Sequence, residues 1–400
     1  AYGRFLNDSR FPSDGTLPDK KKMFQPRVGF AWDINSNGKS VVRANYGIYN
    51  ARQNMLTQVG SITTNGVQQQ TIFRNTDLIS LLLGFGIPQS AVAPTWPGLV
   101  TPPVLPAGTF NDFTGVRVFS RDYANPRIYT TNVAFEQELA TDVAMYFDFT
   151  HAKGVHLTRF VNINIGSLPA VTPANGNTVA YTGPPPFGPQ LGDVFVASSS
   201  AKSLYRALTV GVRKRFSRGF QFEGNYVFSK DYDDDSNERD PFTDRSFNRF
   251  DFSRDYSLSD RDIRHRFNFY TNMQLPAGFE ANARVQARSA QPITVNPLGD
   301  GSGAPCSPSN TRTRVVNGTD CGRNSLRKNN EFFSFDWRLQ RPFKFGERLA
   351  LIPVVEMFNT FNTENNINPL VTPGLFNFDG FLRQGVGDPR QVQLALKFEF

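Results

Sequence analysis

Long hydrophobic runs are missing from these 400 residues. No apolar stretch approaches the roughly 18 residues that a membrane-crossing helix needs. The longest, Leu78 to Ile87, is interrupted by Ser80, Gly84 and Gly86. Helical membrane spanning is therefore excluded. Cysteine is nearly absent: Cys306 and Cys321 stand alone in a segment rich in Gly, Ser and Asn. With no histidine nearby, a zinc site is disfavoured, and a disulfide between them is the preferred reading, consistent with an oxidising compartment. The three histidines, His151, His156 and His265, have no metal-ligand spacing. There is no Gly-Xaa-Ser-Xaa-Gly, no His-Glu-Xaa-Xaa-His and no phosphate loop, so no catalytic set, metal or cofactor is expected. Basic residues outnumber acidic ones, 43 to 35, for a net charge of +8. Only Lys20 to Lys22 form a run, and nucleic-acid binding is not expected. The opening Ala1-Tyr2-Gly3-Arg4 lacks a charged region followed by an apolar one. For an exported protein that would mean a fragment or a processed chain.

What is abundant is phenylalanine, 38 residues against 12 Tyr and 3 Trp, while mean hydropathy is only −0.38. Many of these rings lie on segments that alternate apolar and polar residues, the period of a strand with two different faces. Phe24, Val28, Phe30 and Trp32 share one face, as do Val42, Ala44, Tyr46 and Ile48. Similar stripes follow at Tyr129 to Phe135, Val143 to Phe149, Leu208 to Phe216, Phe220 to Phe228, Ile263 to Leu275, Ala281 to Ala287, Phe333 to Leu339 and Leu349 to Met357. The last runs Val392, Leu394, Leu396, Phe398 and Phe400. Template matching gives roughly eleven strands. Pro26 and Pro353 are unfavourable within or beside a ladder.

The connections sort into two kinds. Short turns fall at Asn35–Gly38, Ala140–Asp142, Ser217–Gly219, Pro276–Gly278 and Lys344–Glu347. Long loops fall at about 51–125, 163–200, 231–261, 296–328 and 361–387. The two kinds alternate strictly, as expected of a transmembrane antiparallel β-barrel with short periplasmic turns and long extracellular loops. An odd number of strands, entering from outside and ending in the periplasm, places the missing strands N-terminal to residue 1. The expectation is the C-terminal half of a larger barrel.

Several segments resemble the barrel of TonB-dependent outer-membrane receptors of the Oar-like branch: Phe24-Gln25-Pro26-Arg27-Val28-Gly29-Phe30-Ala31-Trp32-Asp33, Val42-Arg43-Ala44-Asn45-Tyr46-Gly47-Ile48-Tyr49, Tyr205-Arg206-Ala207-Leu208, Asn225-Tyr226-Val227-Phe228-Ser229-Lys230, Asp262-Ile263-Arg264-His265-Arg266-Phe267 and Phe358-Asn359-Thr360-Phe361-Asn362. The closing strand, with Phe398 and Phe400, resembles the signal read by the barrel assembly machinery. The resemblance implies that residues 1–400 supply about 11 of 22 strands. The plug, the TonB box and a carboxypeptidase-regulatory-like domain would precede residue 1. It further implies a bacterial outer-membrane location in contact with lipid, capture of an unidentified extracellular ligand, and uptake energised through the TonB system by those N-terminal parts. The alternatives are a passive porin-like or an adhesive barrel, and a soluble multi-strand β protein.

Candidate contacts are few. Asp231, Asp233, Asp235 and Asn237 place oxygens in alternation and could hold a cation. However, Ser236 and Phe242 stand where a calcium loop needs Gly and Glu, so a solvated, cation-attracting rim is the preferred reading. Leu78 to Ile87 before Pro88 reads as a short packed helix or as an apolar ligand contact, and Phe110, Phe113 and Phe119 share that ambiguity. Arg264 and Arg266 are expected to face the lumen and pair with acids on neighbouring strands.

Overall fold

The computed structural model describes residues 7–53, 55–63, 83–84, 86, 116–166, 168–171, 179–188, 192–236, 246, 251–293, 315–316, 319–320, 322–327, 330–346, 349–365 and 388–400. Its principal element is an antiparallel meander. The strands are β1 (Arg27–Asp33), β2 (Ser40–Asn50), β3 (Arg127–Ala140), β4 (Val143–Asn162), β5 (Val194–Ser217), β6 (Phe220–Asp233), β7 (His265–Gln274), β8 (Glu280–Arg288), β9 (Phe332–Gln340), β10 (Leu349–Phe358) and β11 (Gln391–Glu399). Each pairs with its neighbours in the chain, so sheet order equals chain order. Three short strands are added to this sheet: Val116–Phe119, Ser257–Leu258 and Phe343–Phe345. Among the described residues β1 and β11 do not pair with each other, and the sheet stays open at both edges.

The register puts all apolar stripes on one face. Val133, Phe149, Leu208 and Phe228 form one cross-strand row, and Phe135, Phe147, Val210, Tyr226, Phe267, Ala287 and Phe333 form another. At the far edge Met357 lies opposite Val392 and Val355 opposite Leu394. These side chains are exposed: Phe30 is 61%, Trp32 57% and Leu394 75% accessible. In water so wide an apolar surface would be a liability. Against lipid it is the expected outer face of a barrel, and the other face carries the polar residues.

The turns are built as their sequences require. Ser217 pairs with Phe220 across Arg218 and Gly219, both at positive φ (53° and 83°), the geometry of a two-residue hairpin that follows the strand twist. Pro353 sits inside β10, opposite Leu396. On its other side the ladder with β9 ends at Gln340 and resumes at Phe343, with Arg341 N–H donating to the Pro353 carbonyl. The missing proline donor thus falls where the partner strand is itself interrupted by Pro342. Pro26 stands just before β1, and its carbonyl accepts from Ile48 N–H.

Two features exceed the sequence expectation. β4 and β5 run to 20 and 24 residues, well beyond the 9–11 that span a bilayer. β5 takes up the end of the loop expected at 163–200, and the two strands carry a ledge above the apolar belt. On this ledge Val116–Phe119 adds parallel to Val194–Ala197. Phe11, Val116, Val118, Phe187, Val194 and Val196 form a buried cluster there, beside a second of Phe119, Tyr123, Phe160 and Ala197. Phe119 is therefore packed inside the protein. Helix α1 (Met55–Thr63) opens the long segment between β2 and β3. No helix among the described residues is long and apolar enough to cross a membrane, which says nothing of a barrel. Leu78 to Ile87 as a unit, Phe110 and Phe113, Asn237, Phe242 and both cysteines lie outside the described residues.

Candidate functional site

On the polar face, carboxylates are paired with cations or hydroxyls on neighbouring strands. Glu136 on β3 accepts from Arg43 of β2 at 2.9 Å and also from Arg213 of β5. Glu223 on β6 accepts from the hydroxyls of Tyr146 (3.1 Å) and Tyr270 (2.7 Å), which reach it from β4 and β7. Arg284 pairs with Asp336 at 2.8 Å, and Arg338 approaches Glu356 at 3.7 Å. Between them lie amide contacts, Asn132 to Asp148 at 2.6 Å and Asn268 to Asn225 at 3.0 Å. Gly211 makes room for one of these links. A methyl group there would lie 2.3 Å from the ring of Tyr146, which covers it. The wall thus presents hydrogen-bonding groups and paired charges along the polar face.

The expected acid pairing of the arginines is only partly present. Arg264 lies before β7 and approaches Asp262 at 3.8 Å. Arg266 stands between Val227 and Arg288 in the register, so no acid faces it there. The polar-face pattern of β6 and β8 placed a valine and an arginine where the sequence reading expected carboxylates.

Above the belt, on the side of the long loops, acids and arginines interlock. Asp233, Asp234 and Asp235 are buried rather than solvated, which corrects the rim reading. Arg159, from the extended part of β4, donates to the Asp234 carbonyl at 2.8 Å and pairs with its carboxylate at 3.0 Å, with Asp235 at 3.6 Å. Its guanidinium also lies 4.0 Å from the Phe252 ring centre. Arg323 donates to the carbonyls of Asp233 and Asp255, each at 3.0 Å, and pairs with the Asp233 carboxylate at 2.7 Å. Asp262, fully buried, accepts from Asp231 N–H at 2.6 Å and pairs with Arg327. Asn324 donates to Asp260 and to the Leu258 carbonyl, both at 2.7 Å. Burial needs this dense pairing, since an uncompensated charge there would cost several kcal/mol.

Of the sequence candidates, the structure brings Asp231, Asp233 and Asp235 to one ledge, with arginines as the neighbours of the last two. No group of three or more His, Cys, Asp or Glu arranged for a metal occurs among the described residues. Asp231 lies beyond Phe228, the last apolar outward residue of β6. Burial, and then the Asp233 charge, push its carboxyl up to about 6. Arg159, Arg323 and Arg327 were not singled out from the sequence. The one available signal was the acidic run 231–235, which demands compensation if buried. Phe398, opposite Leu351, is outward and exposed, and Phe400 is 98% accessible.

A family model described as an outer membrane beta barrel domain matches residues 4–319. A search of curated proteins finds no match. Among solved structures, the outer membrane transporter YddB from Escherichia coli is similar over 94% of this chain at 9% identity and a TM-score of 0.52. The chain spans only 40% of that protein's length. The ferripyoverdine receptor of Pseudomonas aeruginosa (12% identity, TM-score 0.47, 95% of this chain and 33% of that one) and the ferric preacinetobactin receptor BauA of Acinetobacter baumannii (10%, 0.46, 94% and 36%) are more distant in shape. The family match covers most of the chain, and its strands place one apolar and one polar face as an outer-membrane barrel requires: this chain belongs to the outer membrane β-barrel domain family and resides in the bacterial outer membrane.

Proposed function

We propose that residues 1–400 are the C-terminal barrel portion of a TonB-dependent receptor of the Oar-like branch. In this reading the long extracellular loops capture a ligand and the polar wall lines its way inward. A plug and a TonB contact elsewhere in the polypeptide gate and energise uptake. The role is binding and transport rather than catalysis. The observation that carries it is the open meander, whose eleven strands share one register of apolar and polar faces, alongside the likeness to a transporter of which it spans 40%. Lumen ion pairs such as Arg284 with Asp336 and Arg338 with Glu356 fit a conduit that does not trap ions. Outward Phe398 and the adjoining Phe400 are the contacts we assign to the assembly machinery. Asp231, Asp233 and Asp235 belong to the ledge rather than to a calcium loop, and Cys306 with Cys321 would close a loop by a disulfide.

Two readouts on the full-length protein test the receptor reading. In planar bilayers it should hold a closed, non-conducting state, and it should be captured by the periplasmic domain of TonB. A steady open pore with no TonB capture would favour the passive porin-like reading. A closed barrel with no capture would favour the adhesive one.

A further inference from the structure

The outward face carries one feature that ligand uptake does not use. Directly above the apolar row of Phe149, Leu208 and Phe228, the next outward row is His151, Arg206 and Lys230, paired in register. One row further, Lys153 stands opposite Leu204 on one side and Tyr129 on the other. Arg206, Lys230 and Lys153 are exposed. None of the three meets a carboxylate among the described residues, and none is among those with a further contact. By contrast, Arg127, also outward on β3, donates to Asn50 at 3.1 Å.

Directly opposed residues on paired strands lie about 5 Å apart, and like charges so placed destabilise a sheet. Arg206 and Lys230 are such a pair, with Lys153 close by. A row of cations without an anion, on the face that meets lipid, marks a place where the anion comes from outside the protein. The level is set by the apolar belt. The outward positions of β6 are Phe220, Phe222, Gly224, Tyr226 and Phe228 before Lys230 interrupts them. Tyr232 and Tyr256 stack above at 6.1 Å, with Lys202 Nζ 4.9 Å from the Tyr256 ring centre. Interfacial tyrosines of this kind mark the head-group level.

We propose that Arg206, Lys230 and Lys153 bind the phosphate of an outer-leaflet lipid whose acyl chains lie on Phe149, Leu208 and Phe228. Long basic side chains reach to the head-group plane while the apolar row below accepts hydrocarbon. The inference rests on the outer-membrane location alone and stands whether or not uptake is TonB-coupled.

The test uses the full-length protein purified in mild detergent. Native mass spectrometry would follow titration with a bisphosphorylated glucosamine-based glycolipid, its dephosphorylated form and phosphatidylglycerol. Binding of the phosphorylated glycolipid alone identifies it as the source, and equal binding of phosphatidylglycerol identifies any phosphate head group. Each basic residue near a membrane surface contributes about fivefold in binding. The triple variant Lys153→Gln, Arg206→Gln, Lys230→Gln should therefore bind roughly 100-fold more weakly. Heat-modifiable gel migration establishes that a variant is folded. If the triple variant misfolds, Arg206→Glu should abolish binding while Arg206→Lys keeps it. Lys214→Gln, at the opposite end of β5, should change nothing. Equal binding of the dephosphorylated lipid, or undiminished binding by the folded variants, would overturn the proposal.

Discussion

Tyr146 and Gly211 show how far single residues on the lumen wall depend on one another. The ring occupies the space above Gly211, and its hydroxyl reaches Glu223. Gly211→Ala would push the ring aside, and overpacking of this sort costs about 1–3 kcal/mol. The temperature at which the folded gel band is lost should fall, whereas Gly84→Ala, in open space at an ordinary φ, should lower it less. Asp231 gives a pH effect of definite sign. Its folded pKa of about 6 lies above the ordinary 3.8, so the folded state binds this proton more tightly than the unfolded chain. Its contribution to stability is complete below about pH 3.8 and is lost as pH rises through about 6. Asp231→Asn should therefore raise the melting temperature at pH 7.5 and leave it nearly unchanged at pH 4. At this scale the sequence was least legible. The acids of 231–235 were visible, but their partners Arg159 and Arg323 lie far away in the chain, and no local spacing announces a pairing made by tertiary packing.

Strands and turns were far easier to read, because period two and the turn residues are local properties. All eleven strands and the alternation of short and long connections follow from stripes such as Val143–Phe149 and turns such as Ser217–Gly219. The lengths of β4 and β5 were not legible, because above the membrane level alternation no longer has two solvents to answer to. There Phe160, Val161, Val194, Phe195 and Val196 are buried in succession. Arg159 fastens this extension to the segment after β6. Arg159→Ala would remove the guanidinium that pairs with buried Asp234, a loss of about 3–5 kcal/mol. The expected outcome is confined to the ledge: limited proteolysis should cut within 163–193 or 234–262 while the spanning strands still migrate as a folded barrel. Loss of both together would show that the ledge is not a separate cooperative unit. The last strand carries a different expectation. Phe398→Asp places a charge on the lipid face of β11, and the heat-modifiable fraction recovered from outer membranes should drop several-fold.

For the whole molecule the open sheet decides the outcome. Among the described residues β1 and β11 each leave one side of their backbone unpaired, and lipid offers no partner for those groups. Residues 1–400 expressed alone should therefore aggregate or remain protease-sensitive, without a heat-modifiable band, and a stable folded monomer in detergent would contradict this. Sheet order identical to chain order has a mechanical consequence as well. Among the described residues the eleven meander strands are held by their chain neighbours and three short added strands, so a load applied at β11 meets one hairpin at a time. Drawn out of a bilayer by its C-terminal edge, the protein should give way in a ladder of discrete steps, with the tallest where β4 and β5 must slide past each other.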